Sequence, residues 1–175
     1  METLEVLKKR RSIRKFKPDQ VSKEDIEKIL EAGEYAPTAM GTQSSYFVVL
    51  QDKQERDYVA ELNAKAWGRE NFDPYYGAPT IIIVFSTNSA MSDFTKVIDA
   101  SAATTNMVNA AYDLGLGSCW IHRSHDVFSS PEGKELLRKW GLDETMEGVA
   151  SIALGYPDMD LPTPKPRKED YYKII

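Results

Sequence analysis

Arg10-Arg11-Ser12-Ile13-Arg14 is the segment of this chain best equipped for chemistry. Guanidinium forks match phosphate oxygens two at a time, and the Ser12 hydroxyl adds a further donor. A second cationic segment, Lys165-Pro166-Arg167, comes far later in the chain, and its prolines favour an extended, pre-ordered backbone. A basic run on its own is usually a solvated helix end. Two such runs flanking an acidic body suit a shared phosphate instead. The weaker candidates are Cys119, His122 and His125, spaced three apart. On a strand, Cys119 and His122 point to opposite faces, and no fourth metal ligand is evident. A buried cysteine beside two ordinary histidines is therefore the favoured reading, and no metal site is expected.

Several chemistries are missing. A dinucleotide fingerprint starting at Gly115 and Gly117 would need a glycine where Trp120 stands. There is no Gly-Lys-Ser phosphate loop, no serine in a nucleophile elbow, and no carboxylate pair that reads as a hydrolytic dyad. The charge distribution narrows the partners. Residues 8–17 hold seven cations and residues 165–173 four more, which leaves eleven basic against 23 acidic residues from 18 to 164. An acidic body argues against nucleic acid. The longest apolar run, Ile81 to Phe85, is far short of a membrane span. The first residues lack a signal peptide's apolar stretch, and a single cysteine suits a reducing compartment, so a cytoplasmic location is expected.

The elements that must position these residues follow from periodicity and caps. Helices are predicted from about Thr3 to Lys9, with Leu4 and Leu7 inward, and from the Ser22 N-cap to a stop at Gly33. Asp52 and Glu55 make a capping box for a helix reaching about Trp67. Strands are predicted at Tyr46–Leu50, Thr80–Phe85, Ser118–His122 and Gly148–Leu154. Between them, a helix from about Phe94 to Leu114 is rich in alanine, serine and threonine. Such a helix belongs at the centre or at a subunit interface. Pro131 opens a helix to Trp140. From Tyr156 onward four prolines forbid a regular helix before about Arg167, and the apolar end needs partners elsewhere. Helices followed by mixed strands and helices give an α+β sandwich or an α/β sheet.

The chain resembles the nitroreductase family of FMN-dependent flavoproteins over nearly its whole length. The resemblance rests on residues 10–16, on Ala36-Pro37-Thr38-Ala39-Met40-Gly41-Thr42-Gln43, on Gly115-Leu116-Gly117-Ser118-Cys119-Trp120-Ile121, on Gly155-Tyr156-Pro157 and on Lys165-Pro166-Arg167-Lys168, in that order. It implies an α+β sandwich with a mostly antiparallel central sheet flanked by helices, in an intertwined homodimer with FMN at the interface. Residues 1–175 would form one FMN-binding domain, with 156–175 a tail reaching the partner subunit. Arg10, Arg11, Ser12, Lys165 and Arg167 would hold the phosphate and ribityl chain, and Arg14 would lie near the pyrimidine side of the ring. Pro37, Thr38 and Ala39 would come from the partner chain and cover the ring, with Gln43 in the same cofactor-binding loop. Trp120 and Ile121 would line the other side, with the backbone of His122 and Arg123 near N5 and Asn71 at the polar edge.

The implied activity is transfer of a hydride from NADH or NADPH through flavin N5 to a small acceptor, a nitroaromatic or a quinone, by a ping-pong mechanism. A flavin carries its own redox chemistry, which accounts for the absent triad. No catalytic side chain is assigned; His122 is the nearest titratable group. Departures from the family pattern at Gly41 and Ser44-Ser45 bear on substrate range. The alternatives are an FMN storage or sensing module, and dehalogenation or flavin degradation on the same scaffold. Relatives of that last kind carry lids, and here only Trp67 to Tyr76 offers room for one.

Overall fold

The computed structural model describes residues 2–175. Its centre is a four-stranded sheet of β1 (Ser45–Leu50), β2 (Thr80–Ser86), β3 (Gly117–Ile121) and β4 (Glu147–Gly155), in the order β1-β2-β4-β3. Every pairing is antiparallel. The helices are α1 (Thr3–Lys9), α2 (Lys23–Glu34), α3 (Lys53–Trp67), α4 (Asp93–Asp113), α5 (Ser124–Ser129) and α6 (Pro131–Lys139). This is the α+β sandwich.

Side-chain alternation explains the layers. Ile81, Ile83 and Phe85 of β2 pack into a cluster with α3, α5 and α6. Ile82 and Val84 pack into a second cluster with α2 and α4. Both faces of the strand are covered, so all seven of its residues are buried. An unbroken apolar run in an antiparallel sheet requires that double cover. Helix α4 supplies much of the second layer. Ala100, Ala103, Met107 and Ala111 are fully buried, and the small size of the three alanines lets α4 approach both α2 and the sheet.

Several local expectations are corrected. Gly33 does not stop α2 but lies within it, where an added Cβ would meet Met107 Cγ at 2.9 Å and Phe47 Cζ at 3.0 Å. It is kept small for packing. Leu4 and Leu7 are exposed in the protomer, and Val6 is the inward residue of α1. Asp52 caps α3 by accepting from the Gln54 and Glu55 amides. The reciprocal half of the box is replaced, because the Glu55 carboxylate accepts from Trp140 Nε1 (3.1 Å) and pairs with Lys139. The short helix α5 was not foreseen. Its six residues follow Arg123, a non-glycine residue at φ 76°. Beyond Gly155 there is no regular element, as the prolines require, and residues 163–175 are exposed throughout.

Candidate functional site

The segment after α1 is held to the edge of the sheet. Ile13 N–H donates to the Ser118 carbonyl (2.9 Å), and Ser12 and Ser118 form a parallel bridge. Ile13 packs on Gly117 so tightly that a Cβ there would meet Ile13 carbons at 3.0 Å. Four residues later the chain crosses the exit of β4, with Phe16 bridging Pro157 and Lys17 N–H donating to the Tyr156 carbonyl. Lys15 O then accepts from Asp158 N (3.0 Å). These bonds steer the later segment back over the earlier one.

Arg10, Arg11, Ser12 and Arg14 consequently line one groove with Pro162, Thr163, Pro164, Lys165 and Arg167, enclosing about 320 Å³. Both cationic segments come from the same protomer. Arg11 donates to the Lys8 and Arg10 carbonyls, and Arg167 donates to the Lys165 carbonyl. Among the described residues none of these five cations meets a carboxylate. Arg10 is half-buried, and desolvation together with Arg11 pushes its pKa down. A bound anion would relieve that cost. Cys119 borders the same place. Burial pushes its thiol up, against the opposing pull of Arg14, Ser12 and Arg10. It is a protonated, buried side chain with little nucleophilic character. Among the described residues no cluster of metal-ligating side chains exists.

The remaining candidates lie in two other places. On β3, Trp120 and Ile121 face opposite helical layers, so their side chains do not line one surface. Ile121 is core, 7% exposed. Trp120 and His122 share the other face, with ring centroids 6.4 Å apart. The Trp120 Nε1 and Ser118 Oγ atoms on that face are buried with no partner. His122 itself is exposed, and Arg123 stacks on Trp67 at 4.4 Å. Asn71 is exposed in the connection from α3 to β2.

Pro37, Thr38, Ala39 and Gln43 belong to the α2–β1 connection, built around a single 3-10 turn at Ala39–Gly41. Met40, Gly41 and Gln43 all have positive φ there. A separate hollow of about 240 Å³ includes Thr38, Gln43, Ser45 and Phe47, and none of its residues lines the cationic groove.

Two anchors were missed by sequence reasoning. Asp99, on α4 and 2% exposed, accepts from Ala39 N (3.0 Å) and Ser44 Oγ (2.8 Å). It clamps both sides of the strained connection. The signal was available, since Asp99 is one helical turn before buried Ala103 and two before Met107. The other anchor is Asn63 of α3, whose amide nitrogen donates to the His122 carbonyl (2.9 Å) and lies 3.4 Å from Tyr75 OH. Tyr75 OH donates to Ser151 (3.2 Å), and Ser151 bonds Ser124 (2.6 Å). This buried network fixes the turn leaving β3.

The span Trp67 to Tyr76 is tied down rather than free. Asp73 accepts from the Tyr75 and Gly77 amides and pairs with Arg56, which also donates to the Ala78 carbonyl.

A model of the Nitroreductase family matches residues 7–156. A protein of Archaeoglobus fulgidus named "Putative NADH dehydrogenase/NAD(P)H nitroreductase" is 34% identical over 157 residues, covering 89% of this chain and 86% of its own. One of the same name from Methanothermobacter thermautotrophicus is 32% identical, covering 90% and 78%. The crystal structure of a nitroreductase with bound FMN from Bacteroides fragilis superposes at a TM-score of 0.90 with 29% identity, covering 100% of this chain and 99% of that one.

Proposed function

The chain belongs to the nitroreductase family, and from that premise we propose that it is an FMN-dependent oxidoreductase that uses NADH or NADPH to reduce nitroaromatic, quinone or similar acceptors. The observation that carries this reading is the groove, in which Arg10, Arg11, Arg14, Lys165 and Arg167 converge with Ser12 and no carboxylate. Such a donor set fits a phosphate monoester carrying nearly two negative charges. FMN, when bound there, would supply the two-electron redox chemistry between the nicotinamide and the acceptor.

The protein's part is to bind, orient and balance charge. Arg10, Arg11, Ser12, Lys165 and Arg167 hold the phosphate and ribityl chain. Arg14, in the same groove, supplies positive charge toward the ring. The turn at His122 and Arg123, fixed by Asn63, would offer its backbone polar groups to the flavin. Trp120 and Ile121 flank that turn through their backbone, and exposed Asn71 would meet the ring's polar edge. The Pro37–Thr38–Ala39 connection, with Gln43, would cover the ring from a second protomer. Solvent supplies protons in an open cleft.

We place the flavin between two protomers. Leu4, Leu7, Phe94, Val97 and Ile98 leave an apolar surface on α1 and α4, and the tail ends in exposed Tyr171, Tyr172, Ile174 and Ile175. Residues 1–175 form one domain on this reading; the tail from 156 first folds back over residues 10–17 of its own protomer, and its exposed end reaches the partner. Among the described residues no helix is long and apolar enough to cross a membrane. The single cysteine is buried and free, which suits the cytoplasm.

The test is a visible spectrum of the purified protein, followed by anaerobic addition of NADH or NADPH. Flavin absorbance that bleaches rapidly and returns on adding a quinone supports the reading. Slow or absent bleaching indicates storage or sensing. Protein that neither carries nor binds FMN overturns the assignment.

A further inference from the structure

Trp67 carries two guanidinium groups. Arg69 Cζ lies 4.5 Å and Arg123 Cζ 4.4 Å from its ring centroid. The same ring meets Phe72 edge-on at 5.5 Å, and Phe72 meets Tyr76 edge-on at 5.8 Å. Arg14 lies 5.8 Å over the Tyr76 ring and also lines the groove. An aromatic arc with guanidinium groups at both ends therefore runs from the groove to the turn after β3. The Asp73–Arg56 tie holds it in place.

The arc has unused capacity. Among the described residues neither Arg69 nor Arg123 meets a carboxylate, and no side-chain hydrogen bond within the chain uses their donors. A cation engaged over a ring keeps its N–H groups for other partners. Phe72 and Arg69 are exposed, so the arc offers flat apolar surface beside positive charge.

We infer that Trp67, Arg69 and Arg123 form an anion subsite for the carboxylate, sulfonate or phosphate group of a planar reactant. The inference rests on the flavin reading, because it places this subsite at the mouth of the flavin cleft. The anion has two possible sources, a charged acceptor or the extra phosphate that distinguishes NADPH from NADH.

The experiment compares the holoenzyme with Arg69→Gln. Steady-state rates are measured with 1,4-naphthoquinone and its 2-sulfonate, each with NADH and NADPH, and naphthalene-2-sulfonate binding is measured by equilibrium dialysis. Wild type should favour the sulfonate, NADPH or both. In Arg69→Gln that preference should fall about three- to fivefold, the size of an exposed charge pair. Rates with the neutral quinone and NADH should move little. High salt should mimic the substitution. Loss confined to the sulfonate identifies the acceptor as the source, and loss confined to NADPH identifies the reductant. Equal use of charged and neutral partners by wild type, or parallel losses in the variant, overturns the subsite while leaving the flavin reading intact. Absence of turnover with every pair overturns the oxidoreductase reading. Dialysis then still decides the subsite, because sulfonate binding unaffected by Arg69→Gln rules it out.

Discussion

At the scale of single residues, buried polar groups carry the sharpest consequences. Arg10 is the half-buried cation of the groove. Arg10→Ala should weaken FMN binding by about 1.5–3 kcal/mol, the value of a hydrogen bond to a charged group. Fluorimetric titration of the apoprotein with FMN reads this directly, and an unchanged affinity removes Arg10 from the site. Tyr75 makes a different point. Burial pushes its hydroxyl from 10.0 up to about 12, against the pull of Ser151 and Asn63. A folded-state value above the unfolded one favours the folded state most below pH 10. That contribution declines as pH rises through the folded value. The chain should thus lose about 2 kcal/mol of stability between pH 10 and 12 from this group. Urea titrations at both pH values should show a smaller alkaline loss for Tyr75→Phe than for wild type.

At the scale of elements, loops are held by residues from helices far away in sequence. Asp99→Ala strips the acceptor from the Ala39 amide and the Ser44 hydroxyl. It should cost about 3 kcal/mol, because two buried donors lose their partner together. Asp99→Asn should cost less, since its amide oxygen still accepts; equal losses in urea denaturation would contradict the clamp. The α5–α6 corner is tighter still. A Cβ on Gly133 would lie 2.0 Å from the Val127 carbonyl and 2.7 Å from Phe128 Cα, both backbone atoms. Gly133→Ala should therefore destabilise by about 3 kcal/mol or more despite alanine's better helix propensity. Gly33→Ala meets only side chains, Met107 and Phe47, and should be milder. Thermal melts of the pair give the order.

Much of this level was legible in advance. Helix α4 and strand β2 announced themselves through small residues in one case and an unbroken apolar run in the other. The two cationic segments were visible as a pair because their charge contrasts with the acidic body. What sequence could not supply was identity of contact. Gly33 looks like a helix stop, and only the approach of α4 reveals it as a packing position. The short α5 has no periodicity long enough to register. Trp120 and Ile121 read as neighbours lining one surface, yet strand alternation sends them to opposite sides. Asn63 and Asp99 sit among apolar neighbours on their helices, and although its spacing to Ala103 and Met107 marks Asp99 as inward, neither position names its partner. Their roles depend on partners 59 and 60 positions away.

For the whole molecule, the exposed apolar faces of α1 and α4 set the prediction. Val97 is 55% exposed on α4, beside Phe94 and Ile98. Val97→Glu should break a dimer, since a buried unpaired carboxylate is costly, while leaving each protomer folded. Analytical ultracentrifugation should show half the wild-type mass with an unchanged far-ultraviolet spectrum. An unaltered mass would move the interface elsewhere.

The groove draws four of its lining residues from 10–14 and five from 162–167, one part from each end of the chain. During translation the first part leaves the ribosome early and must wait. Until the second part has emerged the groove is incomplete, and products truncated before it cannot form it. With the groove holding the FMN phosphate as proposed, cofactor capture would be deferred to the closing moments of synthesis, and occupancy would mark that synthesis has run at least through Arg167.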